Sequence, residues 1–310
     1  MSRPLGAALG LVLGAAAAAA APPGASPLPT REIAPGVFVY EAPVALASAD
    51  NAGAIANLGF VVGRDAVAVI DTGGSIEAGR RLLAAVRQRS DRPIRYVINT
   101  HVHPDHVLGN AAFRETGATL VGHHRLPSAL DARASAYLTA NRALVGPAFE
   151  GTEIVAPTLL VERTRDLDLG GRVLRLEAWP TAHSNTDLTV LDAETGTWFL
   201  GDLLFANHVP ALDGKLRGWI AALRDLSGRP AQRVVPGHGP ASLNWPEAAG
   251  PIGRYLERLE ADLRGMIREG RTIVEAAGRA GRSEAPRWRL FDEFNARNAT
   301  SAYQELEWDE

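Results

Sequence analysis

Short runs of apolar residues, separated by glycine and charged turns, recur in the first part of the chain. Three of them predict strands: 37–40, 58–62 and 66–70. Residues 75–89 follow with apolar side chains near helical spacing, and Ser75 can cap the first turn, so this segment predicts a helix. The run 95–99 predicts the next strand. Alternation of strand, helix and strand is typical of a layered α/β fold.

The second half of the chain is richer in predicted strands and ends in predicted helices. Apolar and β-branched runs predict strands at 158–161, 173–177, 188–191 and 197–200. Turns containing glycine, at 170–171 and 194–196, predict the hairpins that join them. Helical spacing predicts helices at 126–148, 215–226 and 252–267. The tail, 288–308, is amphipathic and is predicted to cover the edge of a sheet.

The segment THVHPDH, directly after the strand predicted at 95–99, holds three imidazoles and one carboxylate. His101 and His103 project to the same side of an extended chain and can bind one metal ion. Pro104 turns the chain, so Asp105 and His106 can face a second position. The alternative is a polar loop with solvated histidines, in which Asp105 caps the next helix.

Three further polar residues follow apolar runs and stand among glycine, proline or serine: His183, Asp202 and His238. Each is therefore predicted to lie in a loop at the end of a strand. The chain has eight histidines in all. Five of them now belong to this pattern, which favours a metal centre over scattered polar loops.

The ordered set closely resembles the metallo-β-lactamase superfamily, with its His-x-His-x-Asp-His motif followed by a His, a Gly-Asp and a Gly-His. The resemblance implies seven metal ligands in two groups that share a bridging carboxylate: His101, His103 and His183 for one metal, Asp105, His106 and His238 for the other, and Asp202 between them. It also implies that Asp71 supports the loop at 100–106 without itself binding a metal. The best-known β-lactamases of the superfamily carry Cys in place of Asp202, which argues against that branch.

The same resemblance implies a four-layer αβ/βα sandwich. We expect this domain to span 36–245, with the C-terminal helices, 246–310, packed on it. Four segments are similar to the quinoprotein relay system zinc metallohydrolases: 55–63, 69–75, 93–113 and 209–219. That likeness implies a periplasmic zinc enzyme associated with a quinoprotein dehydrogenase system.

Composition limits the remaining possibilities. The chain has 310 residues, 46% of them hydrophobic, which is enough for a large core. A formal net charge of −3 argues against a nucleic-acid partner. Residues 1–23 combine Arg3 with a long alanine-rich apolar stretch and predict a cleaved signal peptide, so we expect no stable membrane anchor. Uncleaved membrane anchoring is the alternative. Residues 24–35 are predicted to be a flexible lead.

Two zinc ions about 3.5 to 4 Å apart can share one water and lower its pKa to about 7. This predicts hydrolysis of a small-molecule ester, lactone, thioester or amide, with Asp105 orienting the nucleophile or carrying a proton. Two alternatives stay open. Iron suits the same ligands and would give redox chemistry, and the protein could be a maturation factor for a quinoprotein dehydrogenase.

Several polar residues lie outside the implied set of metal ligands. In the superfamily a cation near the bridging ligand often binds a substrate carboxylate, which makes Lys215 and Arg217 candidates, although both can equally lie on a solvent-exposed helix face. His123 and His124 fall outside the implied ligands and are assigned to a rim or structural role. The role of His208 stays open. The polar loop between Tyr40 and Ile55 matches in position the loop that overhangs the metals in the superfamily, so it is predicted to touch substrate; an ordinary mobile surface loop is the alternative.

Overall fold

The computed structural model describes residues 26–308. Seven strands form the first sheet, in chain order from one edge to the other: β1 (Thr30–Ala34), β2 (Val37–Tyr40), β3 (Leu58–Val62), β4 (Val67–Ile70), β5 (Ile94–Ile98), β6 (Thr119–His123) and β7 (Leu159–Val161). Neighbours from β1 to β4 pair antiparallel, and those from β4 to β7 pair parallel. From β4 onwards the strands run parallel, so each must be joined to the next by a crossover, and these crossovers contain helices.

The second sheet has five strands: β8 (Thr164–Asp168), β9 (Val173–Ala178), β10 (Leu188–Asp192), β11 (Thr197–Phe205) and β12 (Arg233–His238). They are mutually antiparallel from β8 to β11, and β12 pairs parallel to β11 at the far edge. The parallel pair needs a crossover, which a helix between β11 and β12 provides.

Helices cover the outer faces of both sheets. Their bounds are α1 (Ile76–Arg89), α2 (Pro104–Val107), α3 (Leu126–Val145), α4 (Leu216–Ser227), α5 (Ala249–Arg268), α6 (Ile273–Arg279) and α7 (Phe291–Leu306). Three 3₁₀ segments complete the described structure: Asn110–Thr116, Gly146–Phe149 and Arg282–Arg287. No helix among residues 26–308 is long and apolar enough to cross a membrane.

The packing gives four layers. In β2, Val37 and Val39 join the apolar cluster between the two sheets, whereas Phe38 and Tyr40 point to the opposite face, where α1 packs. All four are buried because both faces of the strand are covered. A third cluster joins the outer face of β11 to α4, α5 and α7. The αβ/βα sandwich predicted from the sequence is confirmed.

Two local predictions were wrong, and one strand was missed. Residues 30–34, expected to be part of a flexible lead, form β1, because Gly36 (φ 69°) closes a hairpin that pairs Thr30 with Tyr40. Strand β8 was missed, since its exposed charged residues hide its alternating pattern. The tail packs mainly on α5 and α6 rather than on a sheet edge. The predicted signal peptide, 1–23, lies outside the described residues.

Candidate metal centre

The segment after β5 delivers its side chains from a loop and one short helix. Pro104 begins α2 at its first position, where a missing N–H costs nothing, and His103 precedes it with extended backbone. His101 and His106 are both buried, with 1% and 0% of their surfaces exposed. The turn at Pro104 therefore sends His103 and Asp105 to different positions, as the sequence predicted.

The other three side chains come from the second sheet. His183 lies in the loop between β9 and β10, and His238 is the last residue of β12. Asp202 was predicted in a loop at the end of a strand, but the structure places it within β11. The backbone of β11 shifts register there, and Gly201 adopts φ 52°, which turns the Asp202 side chain towards the histidines.

Two glycines make room for this arrangement. A Cβ on Gly201 would lie 2.8 Å from Cβ of Thr100, and a Cβ on Gly237 would lie 1.8 Å from Oδ1 of Asp202. Any larger residue at position 237 would occupy the place of the carboxylate. Both positions thus require glycine for a steric reason.

Four side chains form a first cluster. His103 Nδ1 lies 3.1 Å from His101 Nε2 and 2.9 Å from His183 Nε2. Asp202 Oδ2 lies 3.6 Å from His101 Nε2 and 3.4 Å from His183 Nε2. These four side chains place one ligand-type atom each within 4.8 Å of the others.

Three side chains form a second cluster beside it. Asp105 Oδ2 lies 3.7 Å from His106 Nε2 and 3.4 Å from His238 Nε2. Asp202 reaches this cluster as well, since its Oδ1 lies 3.2 Å from His106 Nε2 and its Oδ2 lies 3.5 Å from His238 Nε2. Asp202 therefore lies between the two clusters, in a position that suits a shared carboxylate.

In four histidines the ring nitrogen that faces away from the clusters contacts another group, which leaves the nitrogen facing the clusters to bind a metal; the fourth of them is His106, whose Nδ1 contacts Asp71. His101 Nδ1 contacts Thr100 Oγ1, His103 Nε2 contacts Asp213 Oδ2, and His238 Nδ1 contacts the Ile55 carbonyl, at 3.0, 3.2 and 3.0 Å. Such outer partners fix the tautomer of a metal-binding histidine. Within residues 26–308, Nε2 of His106 and Oδ1 of Asp202 are buried and lie 3.2 Å apart, but they do not have the geometry of a hydrogen bond with each other or with any other group. Buried polar atoms without a well-formed hydrogen bond fit a metal-binding role.

Charge differs between the two clusters. Burial lowers the pKa of His183 to about 3 and that of His101 well below its usual value, so both imidazoles are neutral. Burial acts the same way on His106, but three nearby carboxylates outweigh it and raise its pKa well above the usual value. The pKa of His238 is raised to about 9 by the carboxylates of Asp202 and Asp105, against the effect of burial. A metal at the second cluster must therefore displace protons.

Asp71 holds the metal loop in place from the end of β4. It accepts hydrogen bonds from Thr100 N and Thr100 Oγ1, both at 2.8 Å, and its Oδ2 lies 2.7 Å from His106 Nδ1. Its backbone has φ 57°, an uncommon conformation that aspartate tolerates better than most residues. The contacts agree with the supporting role implied for this residue.

Asp71→Asn is expected to lower metal affinity about 10- to 100-fold, because the His106 ring loses its anionic acceptor and its fixed orientation. The measurement is metal content after dialysis against graded chelator concentrations. The matched control is Asp65→Asn, an exposed aspartate on a surface turn. If both variants retain metal equally well, Asp71 does not position His106.

A cavity of about 350 Å³ opens onto the clusters. Four of the clustered side chains line it: His103, Asp105, Asp202 and His238. Its apolar wall is formed by residues from distant parts of the chain: Ile55, Phe205, Leu212 and Phe294. Its size and mixed lining suit a small molecule. A more open groove of about 1,090 Å³ between α4 and α5 lies away from these side chains.

The predicted cationic anchors lie elsewhere. Lys215 is exposed at the start of α4, and Arg217 points to Glu260, 3.9 Å away; neither lines the cavity. The cavity contains Arg133 and Arg297 instead. Arg133 lies on the helix predicted at 126–148, but no sequence pattern indicates that either arginine faces the cavity.

The three unassigned histidines differ in position. His208 lines the cavity, its Nδ1 donates to the Val209 carbonyl, and burial lowers its pKa to about 4, so it is a neutral wall residue. His123 Nδ1 accepts from the Arg125 N–H at 3.0 Å, and its ring stacks on His124. That pair lies outside the cavity lining and shapes the entry to α3. Of the loop predicted to overhang the metals, Ala45 lines the cavity, as does Ile55 at its end.

The comparison with known proteins agrees with this geometry. The sequence matches the family model of the Metallo-beta-lactamase superfamily over residues 53–238, more than half of its length. The chain therefore belongs to this superfamily. Over 45 residues it is 47% identical to the linear primary-alkylsulfatase of Pseudomonas sp. (strain ATCC 19151), a stretch that covers 14% of this chain and 8% of that protein.

Solved structures share the fold. The stereoselective inverting sec-alkylsulfatase from Pseudomonas sp. superposes with a TM-score of 0.66 at 15% identity, covering 89% of this chain and 50% of that one. A metallo-beta-lactamase from Pontibacter korlensis gives a TM-score of 0.57 at 21% identity, covering 74% and 98%. The chain thus spans half the length of the sec-alkylsulfatase and less than a tenth of the curated relative.

Proposed function

We propose that this protein is a metal-dependent hydrolase acting on a small molecule in the cavity beside the two clusters. The observation that supports this most strongly is the convergence of both clusters on Asp202 at the cavity wall. Grouping this many imidazoles and carboxylates in a buried place is unfavourable without a ligand that uses their lone pairs. A metal centre gives these side chains a common role.

The chain's own residues suit two metal ions. His101, His103 and His183 would hold one, and Asp105, His106 and His238 the other, with Asp202 shared; this assignment follows the two clusters. A bound divalent metal supplies Lewis acidity, which polarises a substrate oxygen and lowers the pKa of water. Imidazole ligands suit zinc, which we propose as the metal, and iron, which suits the same ligands, is the alternative.

Asp105 has a second task in this proposal. Its side chain is 17% exposed and lines the cavity, whereas that of Asp202 is 3% exposed. Without metal, burial opposes its charged form, but the imidazoles of His106 and His238 hold its pKa at about 2. A metal cation bound at the second cluster would favour the carboxylate in the same way. From this place it can orient a water molecule or pass a proton to the leaving group.

Metal removal provides the first test. Protein purified without added metal is expected to contain about two zinc ions per chain, to lose hydrolysis on chelation and to regain it when zinc is restored. Elemental analysis and turnover, measured on the same samples, check this. Iron as the main metal would favour the redox alternative, and full activity after complete chelation would contradict the proposal.

The substrate is proposed to be an ester, lactone, thioester or amide. A sulfate ester is the second candidate, favoured by the 45-residue likeness to an alkylsulfatase. A hydrolysis panel that covers these bonds, together with β-lactams and phosphoesters, separates the two. Cleavage of alkyl sulfates alone would select the second candidate.

We further propose that the protein acts in the periplasm, with a quinoprotein dehydrogenase system as its partner. The N-terminal stretch 1–23 and the four resembling segments support this proposal. Deleting the gene and assaying the dehydrogenase in periplasmic fractions is the test. Loss of dehydrogenase activity without any hydrolysis by the purified protein would favour a maturation role instead.

A further inference from the structure

Two arginines from distant parts of the chain meet over one carboxylate in the cavity. Arg133, on α3, places Nη2 3.4 Å from Asp213 Oδ2, and Arg297, on α7, places Nη2 3.5 Å from Asp213 Oδ1. Asp213 Oδ2 also lies 3.2 Å from His103 Nε2. One carboxylate therefore links both guanidinium groups to a side chain of the first cluster.

The charges of this group do not cancel. Asp213 pairs with both guanidinium groups and contributes at most one negative charge against their two positive charges. Both guanidinium groups are always protonated. On this side of the cavity two guanidinium groups face one carboxylate. The other lining carboxylates, Asp105 and Asp202, lie at the clusters, where bound metal cations would offset them, so an anion is favoured beside the arginines.

The arginines have donors to spare. Each guanidinium has five N–H donors in a planar fork, which matches the oxygens of a carboxylate, sulfonate or sulfate. The side chain of Arg133 is 31% exposed and that of Arg297 is 69% exposed, so both can reach a molecule that enters from solvent. Burial raises the pKa of the neighbouring Tyr137, whose hydroxyl therefore stays protonated and can donate as well.

We propose that Arg133 and Arg297 bind an anionic group of the substrate, and that Asp213 keeps the two guanidinium groups in place before it arrives. The substrate is then a small organic anion with a short apolar part that packs on Phe205 and Phe294. Its charged group lies a few bonds from the bond that is cleaved, because Asp213 Oδ2 lies within 3.4 Å of both Arg133 Nη2 and His103 Nε2. This inference rests on the proposed function and names the substrate class for the same cavity.

Binding of a non-hydrolysable anion tests the inference without any turnover. The probe is 1-hexanesulfonate, with 1-hexanol as its uncharged analogue, titrated calorimetrically into the metal-loaded protein. Wild-type protein is expected to bind the sulfonate at least about tenfold more tightly than the alcohol. Arg133→Gln and Arg297→Gln are each expected to raise its Kd about tenfold, and the double variant more, since charge-assisted hydrogen bonds are lost.

A charge-reversal variant and a matched control complete the binding experiment. Arg297→Glu, at an exposed position, is expected to weaken sulfonate binding more than Arg297→Gln does. Arg258→Gln is the matched control, because Arg258 is also paired with a carboxylate at 3.4 Å but lies on α5 away from the cavity. Its Kd should equal that of the wild type.

The outcomes separate this inference from the proposed function. Equal binding of sulfonate and alcohol by the wild type would overturn the arginine site. An unchanged sulfonate Kd in the folded double variant would also overturn it and would place the bound anion at the metals. Hydrolysis can persist in either case. Absence of hydrolysis on the whole panel, with arginine-dependent sulfonate binding intact, would instead count against the hydrolase.

Discussion

Asp202→Ala is expected to abolish hydrolysis, with a loss of about 10³-fold or more, and to reduce metal content below two ions per chain. The carboxylate lies within 3.2 to 3.6 Å of four imidazole nitrogens that belong to both clusters. Its loss removes the shared negative charge, so two cations held side by side would repel each other. Several kcal/mol of charge stabilisation disappear with it.

The variant should still fold, because Asp202 is surrounded by the clusters rather than by an apolar core. Turnover, elemental analysis and thermal unfolding on the same preparation check the three parts of the expectation. Asp292→Ala, which removes an exposed carboxylate on α7, is the control and should match the wild type in all three. A folded Asp202→Ala protein with normal zinc and full turnover would refute the centre. His103→Ala is expected to behave like Asp202→Ala.

Much of the centre could be predicted because its residues stand in a recognisable order on the chain. The motif at 101–106 needs only the end of one strand and one turn, and both are local properties. His183 and His238 were predicted at strand ends and lie at the end of the second sheet that meets this motif. Asp202 was also found, although its position within β11 depends on a register shift that no sequence pattern shows.

The cavity wall could not be predicted in this way. Arg297 and Phe294 reach the cavity because α7 folds back over α5 and α6, and this depends on long-range packing rather than on spacing. Asp213 lies two residues before Lys215 in the sequence, but its contacts with His103, Arg133 and Arg297 depend on residues from three separate elements. The resemblance to the superfamily instead favoured Lys215 and Arg217, the cations that follow Asp202 in the sequence. In the structure Lys215 is exposed at the start of α4 and Arg217 points to Glu260.

One buried ion pair joins the two sheets, and the second large effect is expected there. Arg172 Nε and Nη2 donate to the two oxygens of Asp192 at 3.0 and 2.6 Å, and Arg172 Nη1 donates to the Val62 carbonyl of the first sheet at 3.0 Å. The side chains are 6% and 0% exposed. Burial opposes the charged form of Asp192, but hydrogen bonds from Arg172 and Thr195 lower its pKa.

Asp192→Ala is expected to lower the free energy of unfolding by about 3 to 5 kcal/mol, because it leaves the Arg172 guanidinium buried without its counter-charge. Denaturant unfolding at pH 7 checks this. Asp166→Ala is the control: that carboxylate pairs with Arg175 at the surface, so its loss should lower the free energy of unfolding by about 1 kcal/mol or less.

The contribution of this buried pair should also depend on pH, because the pKa of Asp192 is lower in the folded than in the unfolded protein. The pair stabilises the folded protein fully above the unfolded pKa of about 3.9, and this stabilisation is lost as the pH falls through the folded pKa. The difference between wild type and variant should therefore shrink in acid. Equal losses in Asp192→Ala and Asp166→Ala would mean that the buried pair does not join the sheets.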